Sequence, residues 1–210
     1  CAGQYKKIDV ESMQESLVGK ISTTEPSLFG IFDGMGGEEC GEQAAFVAAK
    51  IATEISWGKN VQNDLTNYCH MANFEICQYA KENGIASMGT TAAMLAFSKK
   101  NIVLCNIGDS KIFLFSDGRM EQISYDHVVV SAYGTKPPLS QNLGIPPEEM
   151  CIEPYVSIGE YHAEDRYLIC SDGLTDMVKD DEIKNIVLNS ELEGCAEKLL
   201  QKALDNGGKD

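Results

Sequence analysis

At residues 28–37 the chain reads LFGIFDGMGG, a short apolar run that ends in one carboxylate and three glycines. Four or five apolar residues stopped by Gly and Asp predict a buried strand that ends near Phe32. Asp33 follows this strand directly, and the glycines after it allow the backbone to approach a ligand closely. A carboxylate beside a bare backbone carbonyl suits a hard cation, but an ordinary Asp-Gly turn has the same sequence. Taken alone, the stretch favours the turn.

The same arrangement occurs again at residues 167–173, where YLICSDG places Asp172 after an apolar run and before a glycine. Asp109 has the same relation to the predicted strand that precedes it. Four or more oxygens that converge at one end of a sheet can hold Mg²⁺ or Mn²⁺, which nitrogen and sulfur ligands would not favour. Two such ions about 3.5–4 Å apart can clamp a phosphoryl oxygen. Three aspartates that end strands can also be three turns, and the residues by themselves leave both interpretations open.

The bulk properties exclude several classes of partner. The 210 residues carry a net charge of -15, and the Lys and Arg residues form no patch. Nucleic acid and anionic membranes are therefore poor partners, because they require clustered basic residues. The eight cysteines include no CxxC pair, which indicates a reducing compartment and neither zinc nor a disulfide framework. The cysteine pattern predicts a cytoplasmic location. No apolar run approaches about 18 residues, so we expect no membrane span. We also expect a monomer.

The order of the predicted elements indicates the fold class. Apolar spacing predicts amphipathic helices over 41–57 and 62–83, and hairpin signals predict a meander of strands up to Ser124. An irregular segment over 128–158, a strand over 166–171 and helices over 180–189 and 193–205 follow, with Asp180 or Asp181 as a helix N-cap. Helix pairs between antiparallel hairpins predict an α+β domain with sheet packed on sheet and helices outside.

Five short motifs resemble those of the metal-dependent protein serine/threonine phosphatases, the PPM or type 2C family, and the compact bacterial members most closely. In chain order they are FDGMGG (32–37), GTT (89–91), NIGDSK (106–111), SYDH (124–127) and SDGLTD (171–176). The resemblance covers nearly the whole chain. It implies a single domain over 1–210, built as a four-layer αββα sandwich of two mainly antiparallel sheets flanked by helices.

The resemblance also implies an activity. Members of the family hydrolyse phosphoserine and phosphothreonine on proteins phosphorylated by serine/threonine kinases, using a hydroxide that bridges two Mn²⁺ or Mg²⁺ ions. Carried over to this chain, Asp33 would bridge both metals, Gly34 would ligate one through its carbonyl, and Asp172 would bind the first metal. Asp33 and Asp172 would thus be the catalytic carboxylates. Asp210 matches the family's late metal-binding aspartate.

Other positions match the family less closely. Asp109 and Asp176 match positions linked to a third, weaker metal in bacterial relatives. Glu15 occupies the place of an outer-shell aspartate near the N-terminus, and Val10 occupies that of a phosphate-binding arginine. The nearby residues Lys6 and Lys7 are the candidate substrate-binding cations, although lysine lacks the planar fork that arginine offers phosphate.

Two further departures bear on function. Lys111 replaces the arginine of the family's GDSR motif, and the short segment between residues 127 and 171 implies a reduced flap. We expect that the sequence is trimmed at both ends and that the natural protein continues past Asp210, because the family places a closing strand there. The missing arginine favours an alternative function, a catalytically weak or inactive module that binds metal or a partner. The retained carboxylates favour the enzyme.

Overall fold

A computed structural model describes residues 27–35, 40–98, 101–129 and 137–208. Five residues named above lie outside these ranges: Lys6, Lys7, Val10, Glu15 and Asp210. The described residues form strands β1 (Ser27–Ile31), β2 (Ala92–Ser98), β3 (Asn101–Ile107), β4 (Lys111–Ser116), β5 (Arg119–Gln122), β6 (Tyr155–Glu160) and β7 (Arg166–Cys170). The helices are α1 (Gly41–Ala52), α2 (Val61–Asn83), α3 (Asp172–Thr175), α4 (Asp180–Asn189) and α5 (Cys195–Asp205).

The strands form two antiparallel sheets. One has the strand order β1-β2-β3-β6 and the other has the order β5-β4-β7. The predicted hairpins are confirmed, because β2 pairs with β3 and β4 pairs with β5. At the turn between β4 and β5, Asp117 and Gly118 both have positive φ, which is typical of an Asp-Gly hairpin turn.

Side-chain alternation along the strands produces three buried interfaces. Met94 and Cys105 face α1 and α2, whereas Leu95 and Leu104 face the second sheet. On that second sheet, Phe113 turns outward against the C-terminal helices. The chain therefore has the layer order helices, sheet, sheet, helices, which confirms the predicted α+β sandwich.

The interpretation of residues 128–158 as irregular was wrong at its C-terminal end. Strand β6 begins at Tyr155 and pairs antiparallel with β3 along its full length. Four of its six residues are exposed, because β6 lies at the edge of the first sheet. An edge strand buries too few side chains to produce a clear apolar pattern, and its backbone pairing is not visible in the sequence.

Two predictions about helix ends also need correction. Helix α1 ends at Ala52 rather than near Trp57, and the hydroxyl of Thr53 donates to the carbonyl of Lys50 just after the last turn. The N-cap of α4 is Lys179, not Asp180 or Asp181. The two aspartates lie in the first turn of the helix, where a negative charge interacts favourably with the helix dipole.

An aromatic cluster fills the end of the sandwich opposite Asp33. The ring of Phe97 makes edge contacts with Phe29, Tyr161 and Tyr167, at centroid distances of 5.9, 5.3 and 5.6 Å. These four rings come from β1, β2, β7 and the turn before β7. The cluster therefore joins the two sheets at this end.

We predict that Phe97→Ala lowers the free energy of unfolding by about 2–3 kcal/mol, because it leaves three aromatic partners beside a cavity. Urea unfolding followed by circular dichroism measures the change. Phe74→Ala is the matched control, since that ring is 52% exposed on α2 and should change stability by less than about 0.5 kcal/mol. Equal losses in the two variants would contradict the role of the cluster.

Candidate metal centre

The strand pairing brings the predicted site aspartates to one end of the sandwich. Ile31 at the end of β1 pairs with Ala93, and Ile107 at the end of β3 pairs with Ala92 next to it. In the second sheet, Cys170 at the end of β7 pairs with Lys111 at the start of β4. Asp33, Asp109 and Asp172 each follow one of these strand ends: β1, β3 and β7, respectively.

The backbone of Asp33 is fixed by two threonines of the GTT motif. The Asp33 amide donates to the hydroxyl of Thr91 (3.2 Å), and the Asp33 carbonyl accepts from the Thr91 amide (2.9 Å) and the Thr90 hydroxyl (2.8 Å). The Met35 amide then donates to the carbonyl of Gly89. The backbone of Asp33 is therefore hydrogen-bonded on both sides of its Cα atom.

A second hydrogen bond joins this turn to the other sheet. The hydroxyls of Thr91 and Ser110 lie 2.7 Å apart, and both residues are almost completely buried. Ser110 follows Asp109 and precedes β4, whose first residue pairs with Cys170. A short polar path thus runs from Asp33 in one sheet to the strand end before Asp172 in the other.

Gly34 and Gly41 allow the backbone to approach helix α1 at very short range. A Cβ atom added to Gly34 would lie 2.3 Å from the carbonyl oxygen of Gly41, and one added to Gly41 would lie 2.6 Å from the carbonyl oxygen of Met35. No side chain fits at either position without moving the backbone. The sequence analysis linked the glycines after Asp33 to the approach of a ligand. The structure shows that Gly34, together with Gly41, permits close packing of helix α1.

Asp172 begins the short helix α3, directly after β7. Its Oδ1 atom is shielded from solvent, and its carbonyl accepts a hydrogen bond of 2.7 Å from the amide of Asp176. Asp176 therefore lies one turn beyond Asp172, at the C-cap of α3. Burial raises the pKa of the neighbouring Cys170 thiol to about 12, with Lys111 acting against this shift and Asp172 adding to it. Cys170 is accordingly a neutral core residue at physiological pH.

The donor chemistry at this end suits Mg²⁺ or Mn²⁺. Asp33, the carbonyl of Gly34 and Asp172 offer only oxygen, which these ions prefer. Gly34 has no side chain that could cover its own carbonyl. Within the described ranges, no three His, Cys, Asp or Glu side chains are grouped closely enough to form a ligand cluster. Asp109 follows β3 at this end of the sandwich and Asp176 lies four residues after Asp172, but neither completes such a cluster.

The SYDH motif is docked against the NIGDSK motif. The Asn106 side chain donates to the carbonyl of Tyr125 (2.7 Å) and accepts from its amide (3.1 Å). Lys111 forms an ion pair with Asp126, and the His127 amide donates to the carbonyl of Gly108 (3.0 Å).

Burial lowers the pKa of His127, while its hydrogen bonds to the backbone of Gly108 and Glu153 act in the opposite direction. The ring is therefore held mainly in its neutral form at neutral pH. Within the second and third motifs, sequence reasoning missed Thr91, Ser110 and Asn106 as positioning residues. Their presence in the quoted motifs was the only signal of such a role.

The segment after residue 137 is anchored close to the site. Leu143 exchanges two backbone hydrogen bonds with Thr90, of 3.0 and 2.9 Å. The buried Asn73 side chain accepts from the amides of Gly144 and Ile145 and donates to the carbonyl of Ile145. Helix α2 therefore holds this segment against the GTT motif, which in turn holds Asp33.

We predict that Gly34→Ala lowers the free energy of unfolding by at least about 2 kcal/mol, because the new methyl group overlaps the backbone of Gly41. Chemical denaturation measures the loss. Gly159→Ala serves as the control, since its added Cβ would meet nothing closer than 3.8 Å. If both variants were equally stable, the close approach of α1 would be wrong.

The chain matches a known protein family and is similar to proteins from several bacteria. The profile of the family described as Protein phosphatase 2C matches residues 7–132. The serine/threonine protein phosphatase PstP of Mycobacterium tuberculosis (strain ATCC 25618 / H37Rv) is 32% identical, over 87% of this chain and 38% of its own length. The chain thus spans well under half of that relative. The serine/threonine phosphatase stp of Listeria monocytogenes serovar 1/2a is 27% identical, over 86% of this chain and 79% of its own length.

Solved structures show the same fold. A crystal structure described as a bacterial serine phosphatase superposes with a TM-score of 0.78 at 30% identity, covering 88% of this chain and 83% of that one. The catalytic domain of PstP in complex with two manganese ions superposes with a TM-score of 0.75 at 29% identity, covering 91% and 90% of the two chains. In the part of this chain that the structure describes, no helix is long and apolar enough to cross a membrane.

Proposed function

The chain belongs to the protein phosphatase 2C family, and from that premise we propose that it removes phosphate from phosphoserine and phosphothreonine on proteins, using Mn²⁺ or Mg²⁺. One observation carries the proposal. The strands that precede Asp33 and Asp172 end at the same end of the sandwich, and a buried Thr91–Ser110 hydrogen bond ties the two sheets together there. Carboxylates held on a rigid frame can bind a cation without paying a large ordering cost.

In this proposal Asp33, the carbonyl of Gly34 and Asp172 hold the metal, and Asp210 completes the set. Glu15 acts from an outer shell, and Asp109 and Asp176 are the candidate ligands of a third ion. When bound, a pair of divalent ions supplies a nucleophilic water at neutral pH and neutralises charge on the phosphoryl group. The donor chemistry of these residues and the manganese ions bound by the PstP catalytic domain support the assignment.

The residues of this chain would contribute position and charge. Thr90 and Thr91 fix the Asp33 backbone at both its amide and its carbonyl, so the carboxylate starts from a defined point. Lys6 and Lys7 would attract the phosphate in place of the missing arginine. They act as point charges, because an ammonium group cannot form the bidentate pair that a guanidinium forms with phosphate.

The substrate protein, the compartment and the oligomeric state remain predictions. Phosphoproteins made by a serine/threonine kinase are the expected substrates, as for the family in general. The cytoplasmic location is predicted from the cysteine pattern, and the monomer is an expectation that follows from the family resemblance. The acidic net charge supports the prediction that neither nucleic acid nor an anionic membrane is a partner.

A second candidate function is a phosphatase-like module that binds metal or a partner protein without turnover. Val10 is the residue that favours it, since it offers no charge at the position that matches a phosphate-binding arginine. The two candidates make opposite predictions for phosphate release in the presence of Mn²⁺. Metal binding alone does not separate them.

We predict that Mn²⁺ supports phosphate release from a phosphothreonine peptide, that a chelator abolishes it, and that Asp33→Asn reduces turnover by about 100-fold or more. The amide is neutral and cannot replace a charged ligand. A malachite-green assay measures phosphate, and calorimetry measures Mn²⁺ binding, which should weaken in the same variant.

Asp117→Asn is the matched control for this experiment. Asp117 lies in the β4–β5 turn at the far end of the sandwich, with a positive φ that asparagine also tolerates. Turnover should stay at the wild-type level. Wild-type turnover in Asp33→Asn would contradict the proposed metal site, and Mn²⁺ binding without any phosphate release in the unmodified chain would favour the second candidate.

We also predict that Val10→Arg lowers KM for a phosphopeptide by roughly three- to tenfold, because a guanidinium can form two charge-assisted hydrogen bonds with the phosphate. Steady-state kinetics with one peptide substrate gives KM and kcat separately. Val10→Lys is the control, which restores charge without the planar fork and should have a smaller effect. An unchanged KM in both variants would show that residue 10 does not face the phosphate.

A further inference from the structure

Two tyrosine rings form an exposed aromatic surface at the end of the sandwich that carries the aspartates. The rings of Tyr125 and Tyr155 lie 5.9 Å apart at an interplanar angle of 37°, and their residues are 59% and 39% exposed. The edge of the His127 ring meets Tyr125 at a centroid distance of 5.2 Å. We refer to Tyr125 and Tyr155 as the aromatic ledge.

The strand register places the ledge beside the candidate metal centre. Tyr155 begins β6 and pairs with Asn106 of β3. The Asn106 side chain binds both the amide and the carbonyl of Tyr125. Asn106 precedes Asp109 by three residues, so at most about 11 Å of chain separates them. The two tyrosines are thus attached to the same strand end as a site aspartate.

The fold does not account for aromatic side chains at these positions. Both tyrosines expose much of their surface, so neither ring contributes a full buried side chain to the core. Tyr125 is held by its backbone, through bonds that any residue could make. A pair of partly exposed aromatic rings is, however, a suitable surface for a cation, because the face of an aromatic ring is negative.

The charges around the ledge also favour a cation. Glu153 is exposed and lies two residues before Tyr155. The nearby cation Lys111 is already engaged in its ion pair with Asp126. With a net charge of -15, the whole chain adds to the negative field. A planar guanidinium suits this surface better than an ammonium group, because it can stack on a ring while donating to a carboxylate.

We propose that the aromatic ledge binds an arginine side chain of the substrate protein, about three residues away from the phosphorylated residue. Asn106, which holds Tyr125, is separated from Asp109 by at most about 11 Å of chain, and three residues of extended peptide span roughly 10 Å, so a position three residues from the phosphate is the one to test. The proposal deepens the proposed function and rests on it for the identity of the substrate as a phosphoprotein. It assigns the ledge to selection among substrates and gives it no part in the chemical step.

The test uses phosphothreonine peptides that differ in one residue. Arginine or citrulline, which has the same shape without the charge, stands three residues before or three residues after the phosphothreonine. Fluorescence anisotropy of labelled peptides, in which a non-hydrolysable phosphonate replaces the phosphate ester, measures affinity in the presence of Mn²⁺ without turnover. In one of the two positions the arginine peptide should bind about fivefold more tightly than the citrulline peptide.

Variants of the chain locate this preference. In the double variant Tyr125→Ala, Tyr155→Ala the ratio of the two affinities should fall to about one, and Glu153→Gln should reduce it in part. Phe74→Ala, which removes an exposed ring from the outer face of α2, should keep the full ratio. If the double variant does not fold, as judged by its melting temperature, either single tyrosine variant should still lower the ratio at least twofold.

Equal affinities for the two peptides, or no binding of either up to millimolar concentration, would overturn the proposal. So would an arginine preference that survives loss of both tyrosines. A separate measurement of Mn²⁺-dependent phosphate release from para-nitrophenyl phosphate tests the proposed function. The affinity measurement needs no turnover. It therefore tests whether the aromatic ledge binds arginine even if the chain releases no phosphate.

Discussion

The hydroxyl of Thr91 connects the two halves of the structure at the end where the aspartates lie. It accepts the amide of Asp33 from one side and shares a hydrogen bond of 2.7 Å with Ser110 on the other. Both hydroxyls are buried, so neither can exchange its partner for water, and the loss of either one leaves a polar group unsatisfied. At this end of the sandwich, the contact holds Asp33 close to Ser110, and through Ser110 to the strand end before Asp172.

Much of this end of the molecule could be predicted from the sequence, because apolar runs bounded by Gly and Asp mark where buried strands stop. Asp33, Asp109 and Asp172 were located in this way, and the antiparallel register then brings them to one end. Strand β6 could not be found by the same method. Its stability comes from backbone pairing with β3 and not from an apolar face, so its residues carry little pattern.

The motifs that carry the family resemblance turn out to contain two kinds of residue. Some are candidate ligands, but Thr90, Asn106 and Asp126 hold segments of backbone together. Lys111, which stands where the family has arginine, forms an ion pair with Asp126. Sequence spacing alone does not separate these kinds, because a ligand and a clamp can be adjacent in one motif. Their hydrogen bonds separate them.

Net charge imposes the remaining constraint on the proposed function. A chain with a charge of -15 repels a doubly charged phosphate group at long range, so encounter with a phosphoprotein is opposed by the overall field. Attraction must then come from local features. Bound metal ions would provide it at the phosphate itself, and Val10 offers no charge where the family resemblance implies a second source. If the substrate carries basic residues beside the phosphate, the same acidic surface would attract them and increase the affinity. The aromatic ledge lies where such residues would reach the protein.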